Sequence, residues 1–379
     1  MKRRTVLVAM GLGVAGAATA AAHAVRSHEN VPEIHDPMPG AAPATQDALK
    51  VKPVAFWTGV FMKSWDYSYS NGVPLSRSAD SRDHYDLAYD VDGCVAMFRA
   101  TDQRRFLDRA LMFVENVVAA AKPSTSLPDS RFRDEYQGWA SRKSGEGGDE
   151  VPLYESYFWR YATSLLVAIH DNPGVFGDTG YRTRYDRLLA FAEIQIFQKW
   201  YDRGADDTIY RERTHMASHW GLIALNLSLL TGDAARRVRY QKVADTISTR
   251  LRGQLRRNPA EPTAYFWSDV WESAKRPGQD VGHGNGVITY VVEARDRGRS
   301  WTGADMAAFC ALLTKVVWPS GTTYRMYVDG TGSDNGWFAD GFVKLGRYDP
   351  AVQIRLEKHQ VVNDQFAANM ALNARLLRS

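Results

Sequence analysis

The chain has 379 residues, 45% hydrophobic and 24% charged, the balance of a globular protein with a sizeable core. Its 47 Lys and Arg stand against 43 Asp and Glu, and no basic run is interleaved with aromatics, which argues against nucleic acid as a partner. The 11 Trp, 18 Tyr and 15 Phe suffice to build a core and still leave flat faces for sugar rings.

Lys2, Arg3 and Arg4 precede an Ala-, Gly- and Val-rich run over 6–22, and Ala22-His23-Ala24 supplies a small-x-small cleavage site. Residues 1–24 are therefore expected to be an export signal. Arg3 and Arg4, followed by Thr5, Val6 and Leu7, are similar to a twin-arginine signal, which places the mature protein in the periplasm or outside the cell. Ala and Gly contribute little transfer energy, so the run is a poor membrane span. Residues 25–50 are rich in Pro, Ala and polar side chains without periodicity and read as a linker. Residues 51–379 read as one folded domain. Cys94 and Cys310 each sit in an apolar helical run, as buried thiols rather than a disulfide or a metal knuckle.

From residue 85 onward, helical periodicity comes in pairs: 85–100 with 105–121, 155–170 with 181–201, 215–230 with 234–255, 286–297 with 304–317, and 335–345 with 351–377. A sixth pair is expected around 57–69 or 131–140. Thr or Asp before each second member is an N-cap choice, with Pro350 at a first helical position. First members are apolar and rich in small residues, while second members carry Arg, Lys and Gln stripes. That contrast is expected when one helix lines the inside of a ring and its partner covers the outside. The predicted fold is all-α, an (α/α) toroid of five to seven hairpins, with at most a short hairpin of strands at 322–328.

In such a ring the inner helices start at one mouth, where their N-termini favour an anionic ligand. This gathers His84, Tyr85, Tyr154, Glu155, Arg211, Arg213, His215, His219, Asp280, His283, Asn285, Asp334, Asn335 and Trp337. His215 and His219, four apart, share a helix face. Their spacing suits two metal ligands, but Met216 stands where a zinc protease has Glu and no third ligand is evident, so no metal and no cofactor are expected. Three glycines around His283 suggest a sharp turn that brings it close to a ligand, or simply a Gly-rich loop with Asn285 as a cap. Trp139 lies in a long connection of the kind that carries binding groups. Trp220 follows His219, and Tyr265 and Trp267 offer aromatic surface between helices. Glu155 is either paired in the core or a binding carboxylate at the mouth.

With His215–Trp220, Asp280–Asn285 and the helix pairs, residues 80–350 resemble the α/α-toroid carbohydrate enzymes, most closely the alginate-lyase-like and glucuronan-lyase-like polysaccharide lyases. The resemblance implies β-elimination on an anionic, uronate-containing glycan: a His, Asn or Arg neutralises the carboxylate, and a Tyr or His removes the C5 proton while the C4 oxygen leaves. It assigns His219 as the pocket histidine and Tyr265 as its partner. The Asn-Asn-His run of the alginate lyases is missing here. The expected catalytic set is His215, His219, Tyr265 and His283; the expected binding set is Arg211, Arg213, Asn285, Glu155, Trp139, Trp220, Trp267 and Trp337. The alternatives are a glycoside hydrolase with a carboxylate pair on the same ring and a non-catalytic periplasmic glycan-binding protein.

Overall fold

A computed structural model describes residues 50–379; the expected leader, and all of the expected linker except Lys50, lie outside them. The described residues are mostly helical. In chain order the main helices are α1 (Val54–Met62), α2 (Trp65–Ser76), α3 (Ser81–Thr101), α4 (Arg104–Ala119), α5 (Pro152–His170), α6 (Thr179–Phe191), α7 (Thr214–Leu230), α8 (Ala234–Gln254), α9 (Val281–Asp296), α10 (Gly303–Ala311), α11 (Pro350–Leu356) and α12 (Asp364–Leu376). Between α10 and α11 lies a 3-10 segment, Phe342–Arg347. The only ladders among the described residues are two antiparallel pairs of two residues each. None of the described helices is long and apolar enough to cross a membrane.

Two kinds of helix recur. Residues Tyr154 to Ile169 of α5 are all buried, and so are Gln365 to Ala374 of α12. By contrast α8 buries Tyr240, Val243, Ala244, Ile247, Ser248, Leu251 and Gln254, one stripe at helical spacing, and turns its arginines to solvent. The buried helices pack in sequence: α3 on α5, α5 on α7, α7 on α9, α9 on the 3-10 segment, that segment on α12, and α12 back on α3. The one-sided helices lie against them, with α4 on α3, α8 on α7, α11 on the 3-10 segment and α1 on α12.

Capping accounts for several boundaries. The Asp233 side chain accepts from the N–H groups of Ala235 and Arg236 at the start of α8, and Thr302 and Asp305 form a reciprocal box at α10. Asp349 caps α11 with Pro350 behind it. Asp102 departs from the expected pattern: it ends α3 in the left-handed conformation, φ 57°, and Gln103 precedes α4 without a side-chain cap.

Three expected elements differ. Residues 335–345 form no helix except for the tight turn that begins at Phe342. Residues 351–377 are two helices, not one, and the second, rich in Ala and Asn, has the all-round burial of an inner partner. Residues 322–328 make only isolated bridges, such as Tyr324 with Asp334 and Tyr327 with Asp280. Cys94 and Cys310 are free and buried.

Candidate functional site

The starts of α7 and α9 are stitched together. The Thr214 N–H donates to Asp269 O at 2.9 Å, its hydroxyl donates to Gln279 Oε1 at 3.0 Å, and the Gln279 N–H donates to Trp267 O at 3.0 Å. The segment from 281 to 286 is helical from its first residue, correcting the expectation of a turn around His283. Asp280 is the N-cap, and its Oδ1 accepts the His283 backbone N–H at 2.9 Å. The same carboxylate holds the His283 ring through Nδ1 at 2.9 Å. With both helix starts fixed, the His283 and His215 rings lie 4.5 Å apart. His219, one turn deeper, is 6.2 Å from His215 and meets the Tyr157 ring edge-on at 5.1 Å.

Gly286 makes room for this. A Cβ there would stand 2.9 Å from His219 Nε2 and 3.4 Å from Arg160 Nη1, so the third glycine of the run serves close approach rather than a bend. Arg160, on α5, lies with its guanidinium 4.0 Å from the Tyr157 ring centre. Its Nη2 donates to both oxygens of Asp340 at 2.7 and 2.8 Å, while the Tyr157 hydroxyl donates to Asp340 at 3.0 Å and Tyr161 donates to it as well. Arg160 Nε and Nη1, His215 Nδ1, His219 Nδ1 and Arg211 Nη1 are buried without a partner among the described residues. Buried donors normally find acceptors, so this cluster is under-satisfied on one side.

The same neighbours pull the histidine pKa values apart. Burial, and then the Arg160 charge, hold His219 well below the usual imidazole range; burial and His283 do the same to His215. Partial burial works against the charge on His283 too, but the hydrogen bond and charge of Asp280 outweigh it and the net shift is upward. Burial would raise Asp280, yet His283 brings it down to about 2. Burial pushes the Tyr157 and Tyr89 phenols well up, with the Asp340 charge acting in the same direction. These tyrosines are therefore neutral donors rather than bases.

An aromatic wall adjoins the histidines. Tyr85 stacks on Tyr157 at 3.8 Å, Tyr154 meets Tyr85 at 5.8 Å, and Tyr89 stands between Tyr157 at 5.8 Å and Trp337 at 6.0 Å. Tyr85, Tyr89 and Trp337 are half-buried, so part of each ring faces outward.

Of the expected site residues, His215, His219 and His283 come together, with Arg211 close enough to influence both lowered histidines and Trp337 in the wall. Arg213 lies at the start of α7 but is tied to Asp269. Tyr265 is not brought to the histidines: its hydroxyl donates to Asp305 of α10 at 2.7 Å and its ring packs on Phe309. Asn285 is spent on architecture, donating to the Val281, Gly282 and Trp337 carbonyls and accepting from the Phe342 N–H. Glu155 is a core carboxylate, held by Lys199 at 2.8 Å and the Trp200 indole N–H at 2.8 Å. Trp139, Trp220 and Trp267 are at most 1% exposed and offer no face to a sugar. His84 is likewise internal, bonded to Ser78 O and packed on Trp139.

Tyr157, Arg160, Tyr89 and Asp340 escaped the sequence reading. The signal was present in Tyr154, Tyr157, Arg160 and Tyr161 on one apolar helix at three- and four-residue steps. Among the described residues no group of three or more His, Cys, Asp or Glu is arranged to hold a metal ion. No known protein family, curated protein or solved structure matches this chain.

Proposed function

We propose that the protein is an α/α-toroid polysaccharide lyase that cleaves a uronate-containing glycan by β-elimination. The ring reading is supported by the cycle of contacts α3–α5–α7–α9–3-10 segment–α12–α3. Five of the six members have an outer partner (α4 on α3, α6 on α5, α8 on α7, α11 on the 3-10 segment), and the fifth pair, α1 with α12, joins opposite ends of the described chain. The observation that carries the chemistry is the split histidine cluster: two imidazoles whose pKa values are held down and one whose pKa is raised, with the His215 ring 4.5 Å from His283 and 6.2 Å from His219. Environments that drive neighbouring titratable groups apart supply an acid and a base at the same pH.

In this reading His219, neutral at physiological pH, takes the C5 proton. The C–H electron pair becomes the C4=C5 double bond, the C4–O4 bond breaks, and the His283 imidazolium gives its proton to the departing oxygen. The proton on His219 then leaves to solvent and His283 is reprotonated. The enolate-like charge that develops on the carboxylate is met by Arg211, while Arg160, itself 0% exposed, adds its positive charge from within the bundle. Tyr85, Tyr89 and Trp337 offer faces to the neighbouring sugars. A hydrolase needs two carboxylates facing each other across the scissile bond, and Glu155, Asp269 and Asp280 are each engaged by a cation; Asp334 is left without an opposite member.

Incubation with alginate, glucuronan, pectate and a neutral glucan, read by ultraviolet absorbance and reducing ends together, tests this. Absorbance of an unsaturated uronate should rise on one of the acidic polymers, and His219→Ala should lower its rate at least about 100-fold while the thermal transition stays cooperative. Reducing ends without absorbance, or His219→Ala with full activity, would overturn it.

A further inference from the structure

Between the starts of α7 and α9 lies a buried amide that the proposed reaction does not use. Gln279, 1% exposed, directly precedes the Asp280 cap. Its backbone N–H donates to Trp267 O and its carbonyl accepts the Val328 N–H, both at 3.0 Å. Its side chain has two partners. Oε1 accepts the Thr214 hydroxyl at 3.0 Å, and Nε2 donates to Asp280 Oδ2 at 3.0 Å. His283 keeps the Asp280 carboxyl down at about 2, so it is ionised and only accepts. The amide nitrogen therefore has to face Asp280, and the amide oxygen Thr214.

Asp280 does two things with one carboxylate. As the cap it offers Oδ1 to the His283 backbone N–H at 2.9 Å. It also meets the His283 ring at Nδ1, 2.9 Å from each oxygen. A cap alone fixes one oxygen and leaves the group free to turn about its Cβ–Cγ bond. The Gln279 donor fixes the second oxygen, and the plane of the carboxylate with it. Held this way, the carboxylate accepts a hydrogen bond from Nδ1–H, so Nε2 is the nitrogen that gains and loses a proton. Thr214 is fully buried and opens α7, one residue before His215. The row Thr214–Gln279–Asp280–His283 thus joins the helix of the proposed base, His219, to the helix of the proposed acid.

We propose that Gln279 is a positioning residue: by fixing the second oxygen of Asp280 it sets the tautomer of His283, with the proton of the neutral ring on Nδ1 and delivery from Nε2. That Nε2 delivers to a leaving oxygen rests on the lyase reading; the tautomer does not. Other groups face the ring without replacing this bond. The His215 imidazole lies 4.5 Å away on α7, and Asp269 and Arg213, paired with each other, act on it from the connections ahead of α9 and α7. Asp334 is close enough to influence Asp280. Among the described residues only Asp280 bonds Nδ1.

Nitrogen-15 NMR of histidine-labelled full chain, assigned against His283→Gln, reads the tautomer without substrate. Above the titration of His283 the wild type should hold its ring proton on Nδ1. Gln279→Met keeps the length of the side chain and removes both polar atoms; Thr214→Val releases the amide from its far side. Each should move the neutral ring toward the Nε2–H form, Gln279→Met by more. In the lyase assay Gln279→Met should lower kcat about tenfold and leave KM within about twofold. An unchanged tautomer in folded Gln279→Met, or in Thr214→Val should Gln279→Met not fold, overturns the positioning role. A raised KM with kcat spared overturns it too. A shifted tautomer in a protein that forms no unsaturated uronate upholds the positioning and overturns the lyase reading.

Discussion

Two clusters of buried polar groups sit near the start of α5, and they differ in completeness. In the first, Lys199 donates to Gln137 O at 2.9 Å and Glu155 at 2.9 Å and reaches Glu150 at 3.4 Å. Arg203 joins Glu150 at 3.0 Å to Asp134 at 2.8 Å. In the second, around His219 and Arg160, five buried nitrogens have no partner among the described residues. A network that closes on itself holds the fold together. A network open on one side is arranged for something that arrives. By this criterion Glu155 belongs to the scaffold, although it stands at the helix start where the sequence placed a binding group.

The largest expected effect comes from opening the closed cluster. Lys199→Met removes the cation between Glu150 and Glu155 and leaves two buried carboxylates short of a partner, which should cost about 3–5 kcal/mol of stability. Urea unfolding measures it, and the rate per folded molecule should stay at the wild-type value. If stability is unchanged and the rate falls, the roles of the two clusters are reversed.

Asp280→Asn acts on the open cluster and should show as a change in pH dependence, of stability as well as of rate. The folded pKa of His283 is raised, so the His283–Asp280 pair contributes stability fully below the unfolded value of about 6.5. That contribution is lost as pH rises through the folded value. In the proposed lyase reaction the proton donated to the leaving group would be lost over the same window, which would set the alkaline limb of kcat/KM. Without the carboxylate the limb should move to lower pH. The lowered pKa values of His215 and His219 put no acid limb near neutrality. An alkaline limb that does not move assigns it to another group.

The smallest expected effect is Tyr265→Phe. Its hydroxyl bonds Asp305 on α10, so its loss should cost about 0.5–1.5 kcal/mol of stability and leave turnover within about twofold, against the role that the family resemblance implies. A large fall in kcat with unchanged stability would restore Tyr265 to the site.

What was legible in the sequence follows from which interactions are local. The apolar periodicity of 215–230 and the placing of His215 and His219 on one face are properties of one helix, and both are present. The Asp280 cap on His283 spans three residues and lies within the motif that was singled out. Asp340 was hidden because the segment from 335 to 345 reads as a helix but folds as an irregular stretch that ends in a 3-10 turn, and its partners, Tyr157 and Arg160, are about 180 residues earlier. The break in 351–377 was missed because no Pro or Gly marks it. There the chain leaves α11 through Glu357 and restarts at the Asn363 cap, whose side chain accepts the Phe366 N–H.

That last helix has a kinetic consequence. Asp92, in the middle of α3, accepts from Lys344 and from Gln365 of α12, 252 and 273 residues later, and α12 also covers α1. Until those distant residues have been synthesised, α3 has an unneutralised carboxylate and an uncovered apolar side. The helical domain therefore completes late and through contacts of large sequence separation, which makes for slow folding and leaves the growing chain dependent on protection from aggregation until its final helix docks.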